Sequence, residues 1–543
     1  MKKLIAFITC IISLNAVAQK TKADILIHNA TIYTLDEKFS KANALVVAEG
    51  KIVEVGDYKT ISSKYDASKH FDAKGKFIYP GFIDAHAHFV GYGNSLQIVD
   101  LTGTSSWEEV LQRCRSFKKD DGRGWLTGRG WDQNDWENKS FPDNKRLNEL
   151  YPDRPVLLVR IDGHAAIAND KALQLAGIKA GDKLVGGDIE VKDGKLTGIL
   201  IDNAINIVEG KIPAQTKSEF KTAVLDAQKN CFAMGLTTVD DCGLNASDVE
   251  WIKQLQADDH LKMRLYVMLS DSKKNFDYLD KKGIIKTEKL HVRGFKLYGD
   301  GALGSRGACL LEPYNDKPGH YGFLLSNASH FDSVANWISK RNFQMCTHAI
   351  GDSGNRTILN IYGKYLKGKN DKRWRIEHAQ VVNENDFDLF EKYSIIPSVQ
   401  PTHATSDMYW AGNRLGKERE KGAYAFKRLK EQNGWLPLGT DFPVEDISPF
   451  KTFYAAIARK DSKEWPEGGY QMENALSRKD ALRGMTIWAA RANFEEKEKG
   501  SLEPGKFADL IILDQDIMTI KEQDVLNTKV LLTMIGGEVV FER

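Results

Sequence analysis

The alternating pair in Asp84-Ala85-His86-Ala87-His88 is the first stretch of the chain that could do chemistry. Residues two apart on a strand face the same side, so both imidazoles can reach one cation. Such a pair alone is a weak signal. Further along stand Lys296 in Phe295-Lys296-Leu297, His348 in Thr347-His348-Ala349, His378 in Glu377-His378-Ala379, and Asp441 in Thr440-Asp441-Phe442-Pro443. Each has a plainer use by itself: a hydrogen-bonded core histidine, a lysine in an ion pair, an aspartate capping a helix. As a set, imidazole and oxygen donors without thiolate describe a site for a divalent metal, zinc first, then manganese, nickel or iron. A metal of this kind generates hydroxide from water near neutral pH, and Asp441 is suited to take the proton.

These residues share a position relative to the elements that carry them. Eight short apolar runs, separated by helical stretches, read as parallel strands: Phe77–His86, Gly235–Asp240, Arg264–Leu269, Gly294–Tyr298, Gln344–His348, Trp374–His378, Ile395–Val399 and Leu436–Gly439. Eight is the count of a (β/α)8 TIM-type barrel, whose active sites lie at the C-terminal strand ends. Five of the eight runs end in or lead into one of the metal-binding types, and packing alone does not explain that recurrence. The gap after the first run is too long for one crossover, which predicts an insertion over about 95–225 at the barrel mouth. The chain divides accordingly into 1–18, 19–76, a barrel over 77–499 and a terminal part over 500–543.

Both flanks of the barrel are strand-like. Asp24–His28, Ala30–Leu35, Ala44–Val47 and Ile52–Gly56 alternate around turns, as do Ala508–Leu513, Val530–Ile535 and Glu538–Phe541. Neither flank has enough apolar surface to fold alone, so the two together are expected to build one small β-sandwich. At the extreme N-terminus, Lys2-Lys3, an apolar run over Leu4–Leu14 and Ala16-Val17-Ala18 form a secretory signal, cleaved near Ala18-Gln19, and the expected location is the periplasm. The apolar run is too short to span a bilayer, and no later segment is apolar enough. A net charge of +2 over 543 residues offers no nucleic-acid groove, and the expected partner is a small-molecule substrate, with a homo-oligomer left open. Cys114, Cys231, Cys242, Cys309 and Cys346 are few, scattered and odd in number, so they form no disulfide framework.

The motifs Gly81-Phe82-Ile83-Asp84-Ala85-His86-Ala87-His88, Lys296, His348, His378 and Gly439-Thr440-Asp441 resemble the amidohydrolase superfamily over nearly the whole mature chain. Within it the chain looks like the branch that includes N-substituted formamide deformylases. That likeness rests on Gly128-Arg129-Gly130-Trp131-Asp132, Asp162-Gly163-His164-Ala165, the run from Lys296 to Arg306, and Gln400-Pro401-Thr402-His403. The resemblance implies that His86 and His88 hold a first metal with Asp441, that His348 and His378 hold a second, and that Lys296 bridges them once carboxylated. An unmodified Lys296 beside one metal is the alternative, because an ammonium cannot ligate a cation.

Around this core, His164 is expected to polarise the scissile carbonyl, and Arg306 and His403 to bind a substrate carboxylate or oxyanion. Trp131 and Trp136 are expected either to form an apolar lid over the substrate or to pack in the core of the insertion. The expected reaction is hydrolysis of a C–N bond of an amide, formamide, imide or cyclic amide. Two other activities stay open: deacetylation of an N-acyl sugar or amino acid, and metal binding without catalysis in the cell envelope.

Overall fold

The computed structural model describes residues 20–118 and 124–543, so the signal read over 1–18 lies outside the described residues. Its centre is a ladder of seven parallel strands: β1 (Phe82–Ala87), β2 (Leu236–Leu244), β3 (Arg264–Ser270), β4 (Leu290–Tyr298), β5 (Gln344–Ala349), β6 (Arg375–His378) and β7 (Ile396–Ser398), hydrogen-bonded in that order. Helices on the outside connect them. One is Lys217–Ala233, which enters β2 and starts on a reciprocal cap between Thr216 and Glu219. The strands are almost wholly buried, their outer face under the helices and their inner face against the barrel's own side chains.

The eighth run, Leu436–Gly439, closes the barrel without forming a regular strand. Ala85 donates to the Leu438 carbonyl at 3.2 Å on one side, and Gly439 donates to the Val399 carbonyl at 3.1 Å on the other. Pro437 has no N–H, and the Leu438 N–H goes to the Gly484 carbonyl at 3.0 Å, so too few donors are left for a full ladder. The first predicted run, Phe77–His86, is two strands. Tyr65–Pro80 pairs with Leu510–Leu513 in another sheet, and only Phe82 onward belongs to the barrel. The break is at Gly81, where a Cβ would sit 2.3 Å from the Thr237 side chain.

Both chain ends meet in one seven-stranded sheet, in the order Glu538–Glu542, Val530–Ile535, Leu510–Leu513, Tyr65–Pro80, Thr21–Tyr33, Lys41–Ala48, Lys51–Gly56. Leu45 and Val47 from one half share a buried cluster with Leu532 and Met534 from the other. The sheet therefore curls over its own core, which is the form the sandwich takes. Two tyrosines, Tyr33 and Tyr79, stack 4.9 Å apart where it meets the barrel and both donate to Asp516.

Between β1 and β2 a six-stranded sheet spans Val99 to Asp202, with apolar clusters on both faces. Its loops stand over the barrel mouth. All five described cysteines are free, and four are buried. Among the described residues no helix is long and apolar enough to cross a membrane.

Candidate metal centre

The site is assembled by strand ends that lie side by side on one rim. Parallel register sets Tyr298 beside His348 and Ala349 beside His378. The β1 end is tied to the closing segment through Asp84, which accepts from Thr440 N at 3.0 Å and from Thr440 Oγ1 at 2.6 Å. Asp441 then donates its N–H to the His86 carbonyl at 2.7 Å, which holds its carboxylate against His86 at the end of β1 and His88 just beyond it. His378, Ala379 and Asp441 all have left-handed backbone, with φ of 73°, 43° and 65°. Non-glycine residues hold such angles at a cost, and they concentrate where side-chain direction matters more than local comfort.

His86 Nε2 and His88 Nε2 lie 3.5 and 3.2 Å from Asp441 Oδ1, and one donor atom from each of the three residues falls within 4.8 Å of the others. A second group with the same closeness joins His378, His403 and Asp441, where His403 Nε2 is 3.6 Å from Asp441 Oδ2. Asp441 Oδ1 and His403 Nε2 are buried without a well-directed hydrogen bond. Buried polar atoms are rarely left so, and a cation between them would satisfy both. The residues present therefore fit a divalent metal.

Each imidazole is fixed from behind. His86 Nδ1 meets Glu377 Oε2 at 2.6 Å, His88 Nδ1 meets the Cys242 carbonyl at 2.8 Å, and His378 Nδ1 meets Gln400 Oε1 at 2.7 Å. With Nδ1 engaged, Nε2 is the free donor atom of His86 and His88, the arrangement that orients metal-binding imidazoles. Glu377 and Gln400 stand in stretches that the sequence marks, but the sequence assigns neither a role. Glu377 could have been found, because it precedes His378 at the same strand end.

Charge in the cluster follows from burial and neighbours. Burial opposes ionisation of Asp441, yet His86, His88 and His378 hold its carboxyl well below the usual range. Burial also works against a charged His86, but Cys242, Glu377 and Asp441 outweigh it and favour positive charge there. Burial, then the neighbouring imidazoles, press His348 and His378 toward the neutral form that a metal ligand needs. Lys296 is 1% exposed, and its Nζ lies 3.0 Å from His86 Nε2. Burial disfavours its charge, while the Cys242 sulfur, Tyr298, Glu377 and Asp441 push its value upward.

The other predicted residues divide. His348 reaches the cluster through its ring, 4.6 Å from that of His378, but its Nε2 is turned to the Gly301 carbonyl at 3.4 Å. His403 takes the place beside His378 that was expected for His348. His164 faces the same cavity, its Nδ1 held by Asp202 Oδ1 at 2.5 Å and its ring 5.1 Å from that of His348. Arg306 and Trp131 require correction, because neither reaches the cavity. Arg306 pairs with Asp316 at 2.9 Å and is not among the residues that line the cavity. Trp131 is fully buried in the insertion core beside Trp136, with its N–H donated to the Leu158 carbonyl, so packing holds it and no lid is formed.

The cavity over these residues measures about 1290 Å³. Its floor carries His88, Lys296, His348, His378, His403 and Asp441, and its roof carries Arg129, Asp162 and His164 from the insertion.

Known proteins share this architecture. A curated relative, Protein LONG AFTER FAR-RED 3 of Arabidopsis thaliana, is 34% identical over 96% of this chain and 92% of its own. The N-substituted formamide deformylase of Arthrobacter pascens is 26% identical over 96% of this chain and 98% of its own. The crystal structure of an uncharacterized metal-dependent hydrolase from Pyrococcus horikoshii OT3 superposes with a TM-score of 0.75 at 29% identity, covering 92% of this chain and 99% of that one. The profile described as the Amidohydrolase family matches residues 69–541, and with these relatives it makes the chain a metal-dependent hydrolase that belongs to the amidohydrolase family.

Proposed function

We propose that the protein hydrolyses a C–N bond of an amide, formamide, imide or cyclic amide in a small molecule. The observation that carries this reading is the convergence of His86, His88 and Asp441 donor atoms within 4.8 Å, with Asp441 Oδ1 left unpartnered under a large cavity. His86, His88 and Asp441 would hold one ion, zinc by the nature of the donors. His378, with His348 or His403, would hold a second, and Lys296 would bridge the two if its Nζ is carboxylated. When bound, such an ion supplies Lewis acidity toward a carbonyl and toward water.

The chain's own residues do the rest. Asp441 Oδ1 takes the proton of the attacking water and delivers it to the leaving nitrogen, which cannot depart as an amide anion. His164, oriented by Asp202, presents Nε2 to the carbonyl oxygen, and burial of the cavity strengthens that bond as charge develops. His403 Nε2, buried and unpartnered, offers a second contact to the same region. The 26%-identical formamide deformylase supports a C–N substrate.

The test is a hydrolysis screen of the mature chain, metal-loaded and chelated, against N-formyl amines, N-acyl amino acids and cyclic amides, with metal content measured in parallel. Turnover of at least one class is expected only with metal. A metal-loaded protein that leaves every C–N substrate intact while cleaving esters would overturn the reading.

A further inference from the structure

Two arginines reach the roof of the cavity, and they are held in opposite ways. Arg160 is 2% exposed and fully engaged: it binds Asp162 at 2.5 Å, Gln133 at 2.9 Å, and Asp132. It is part of the frame. Arg129, on the strand Leu126–Trp131, is largely buried and makes one hydrogen bond, from Nη2 to the Ile161 carbonyl at 3.0 Å. Its Nε is buried with no partner, and among the described residues no carboxylate lies within ion-pair distance of it. Burial pushes its guanidinium down from the ordinary value, and the nearest acids do not restore it.

The surroundings leave this guanidinium free to meet a ligand. It lies against Gly163, where a Cβ would stand 3.2 Å from Nη2, and Gly163 has φ of 76°. Any side chain there would press on it, so the glycine lets the loop before His164 cross close over the guanidinium. Asp162 is already taken by Arg160, while Glu209 shares the wall without reaching Arg129. A buried, unpaired guanidinium is costly and is normally answered by an anion.

We infer that Arg129 is a carboxylate-binding residue of the substrate pocket, and that the natural substrate is an N-acyl or N-formyl amino acid. The inference rests on the hydrolase reading for the scissile bond, but not for the anion contact. A planar guanidinium matches a carboxylate through two parallel N–H bonds. Asp100, Asp162 and Glu209 on the same wall would repel a dianion such as phosphate more strongly than a carboxylate. The role first read into Arg306 is thereby moved to Arg129, which faces the cavity that Arg306 does not reach.

The experiment compares pairs of probes that differ by one carboxylate: N-formyl-leucine against N-(3-methylbutyl)formamide, and N-formyl-phenylalanine against N-(2-phenylethyl)formamide. Binding to the metal-loaded protein is measured by calorimetry and turnover separately. The carboxylate form should bind about 10- to 100-fold tighter, the worth of one hydrogen-bonded charge pair. In Arg129→Gln, with metal content and unfolding midpoint checked, that ratio should fall to near unity, and Arg129→Lys should keep part of it. A ratio near unity in the native protein, no binding of any probe, or a ratio preserved in Arg129→Gln would each overturn the inference. A guanidinium that only supports the loop would weaken both members of a pair equally and preserve the ratio. Tight, Arg129-dependent binding without cleavage would leave the carboxylate contact standing and remove the C–N hydrolase reading instead.

Discussion

Asp441 and Asp516 are both buried aspartates, 5% and 8% exposed, and they are surrounded in opposite fashion. Asp516, where the end sheet meets the barrel, accepts hydroxyl bonds from Tyr33 and Tyr79 and an N–H from Met518. Asp441, at the barrel mouth, has left-handed backbone, four imidazoles within 4.0 Å and one oxygen without a directed bond. A polar group buried for stability is satisfied by the fold, whereas one buried for chemistry is left wanting a ligand.

The largest expected effect follows from exchanging the two roles. Asp441→Asn should lower kcat by about a thousandfold, the scale of a lost acid–base group, with little change in unfolding midpoint. Asp516→Ala should cost about 2–5 kcal/mol of stability, because two buried hydroxyls lose their acceptor, while the folded fraction keeps its turnover. Denaturant curves and steady-state kinetics on both variants check this. If Asp441→Asn mainly unfolds the protein, or Asp516→Ala mainly slows it, the contrast fails.

Lys296 sharpens the same comparison. Lys499 is also buried, but it pairs with Glu495 at 2.7 Å, whereas Lys296 among the described residues has only His86 Nε2 within hydrogen-bond reach. Lys296→Ala should reduce bound metal per chain and lower activity about a hundredfold or more. Bicarbonate with a short acid such as acetate should restore part of both, and Lys296→Arg should not, because a guanidinium cannot become an anionic ligand. Full metal content in Lys296→Ala would remove the bridge.

The smallest effect is expected at Glu445 on the cavity wall. Ser406 Oγ donates to it at 2.6 Å, and burial pushes its carboxyl up to about 7. Its folded value lies above the ordinary one, so the stability it contributes is full below the ordinary carboxylate range and is lost as pH rises through about 7. Glu445→Gln should match the native protein near pH 4.5 and be the more stable of the two at pH 8. Parallel unfolding curves at every pH would show that Glu445 titrates normally.

Much of the barrel could be read from local pattern. A run such as Leu265–Leu269 is apolar throughout because helices cover its outer face and the barrel's own side chains fill its inner one, and that continuity is visible in one dimension. His86, His88, His378 and Asp441 could be read because metal donors recur at the same boundary of successive runs. The break at Gly81 could not, since it depends on Thr237 lying across from it in space. Nor could the irregular eighth segment, whose one spare donor is claimed by Gly484.

By itself the sequence determined which residue types were available to the metal and which strands carried them, because periodicity and composition act over a few residues. Only the tertiary structure decided partnership. It gave Glu377 to His86, turned His348 toward Gly301, brought His403 beside Asp441, and sent Trp131 into a core. It also gave Arg306 and Arg160 carboxylate partners and gave Arg129, among the described residues, a backbone carbonyl and no carboxylate. The physical reason is that a charged or polar side chain is defined by what lies within about 4 Å of it, and for His86, His348, His403 and Trp131 that neighbour is tens to hundreds of positions away in the chain.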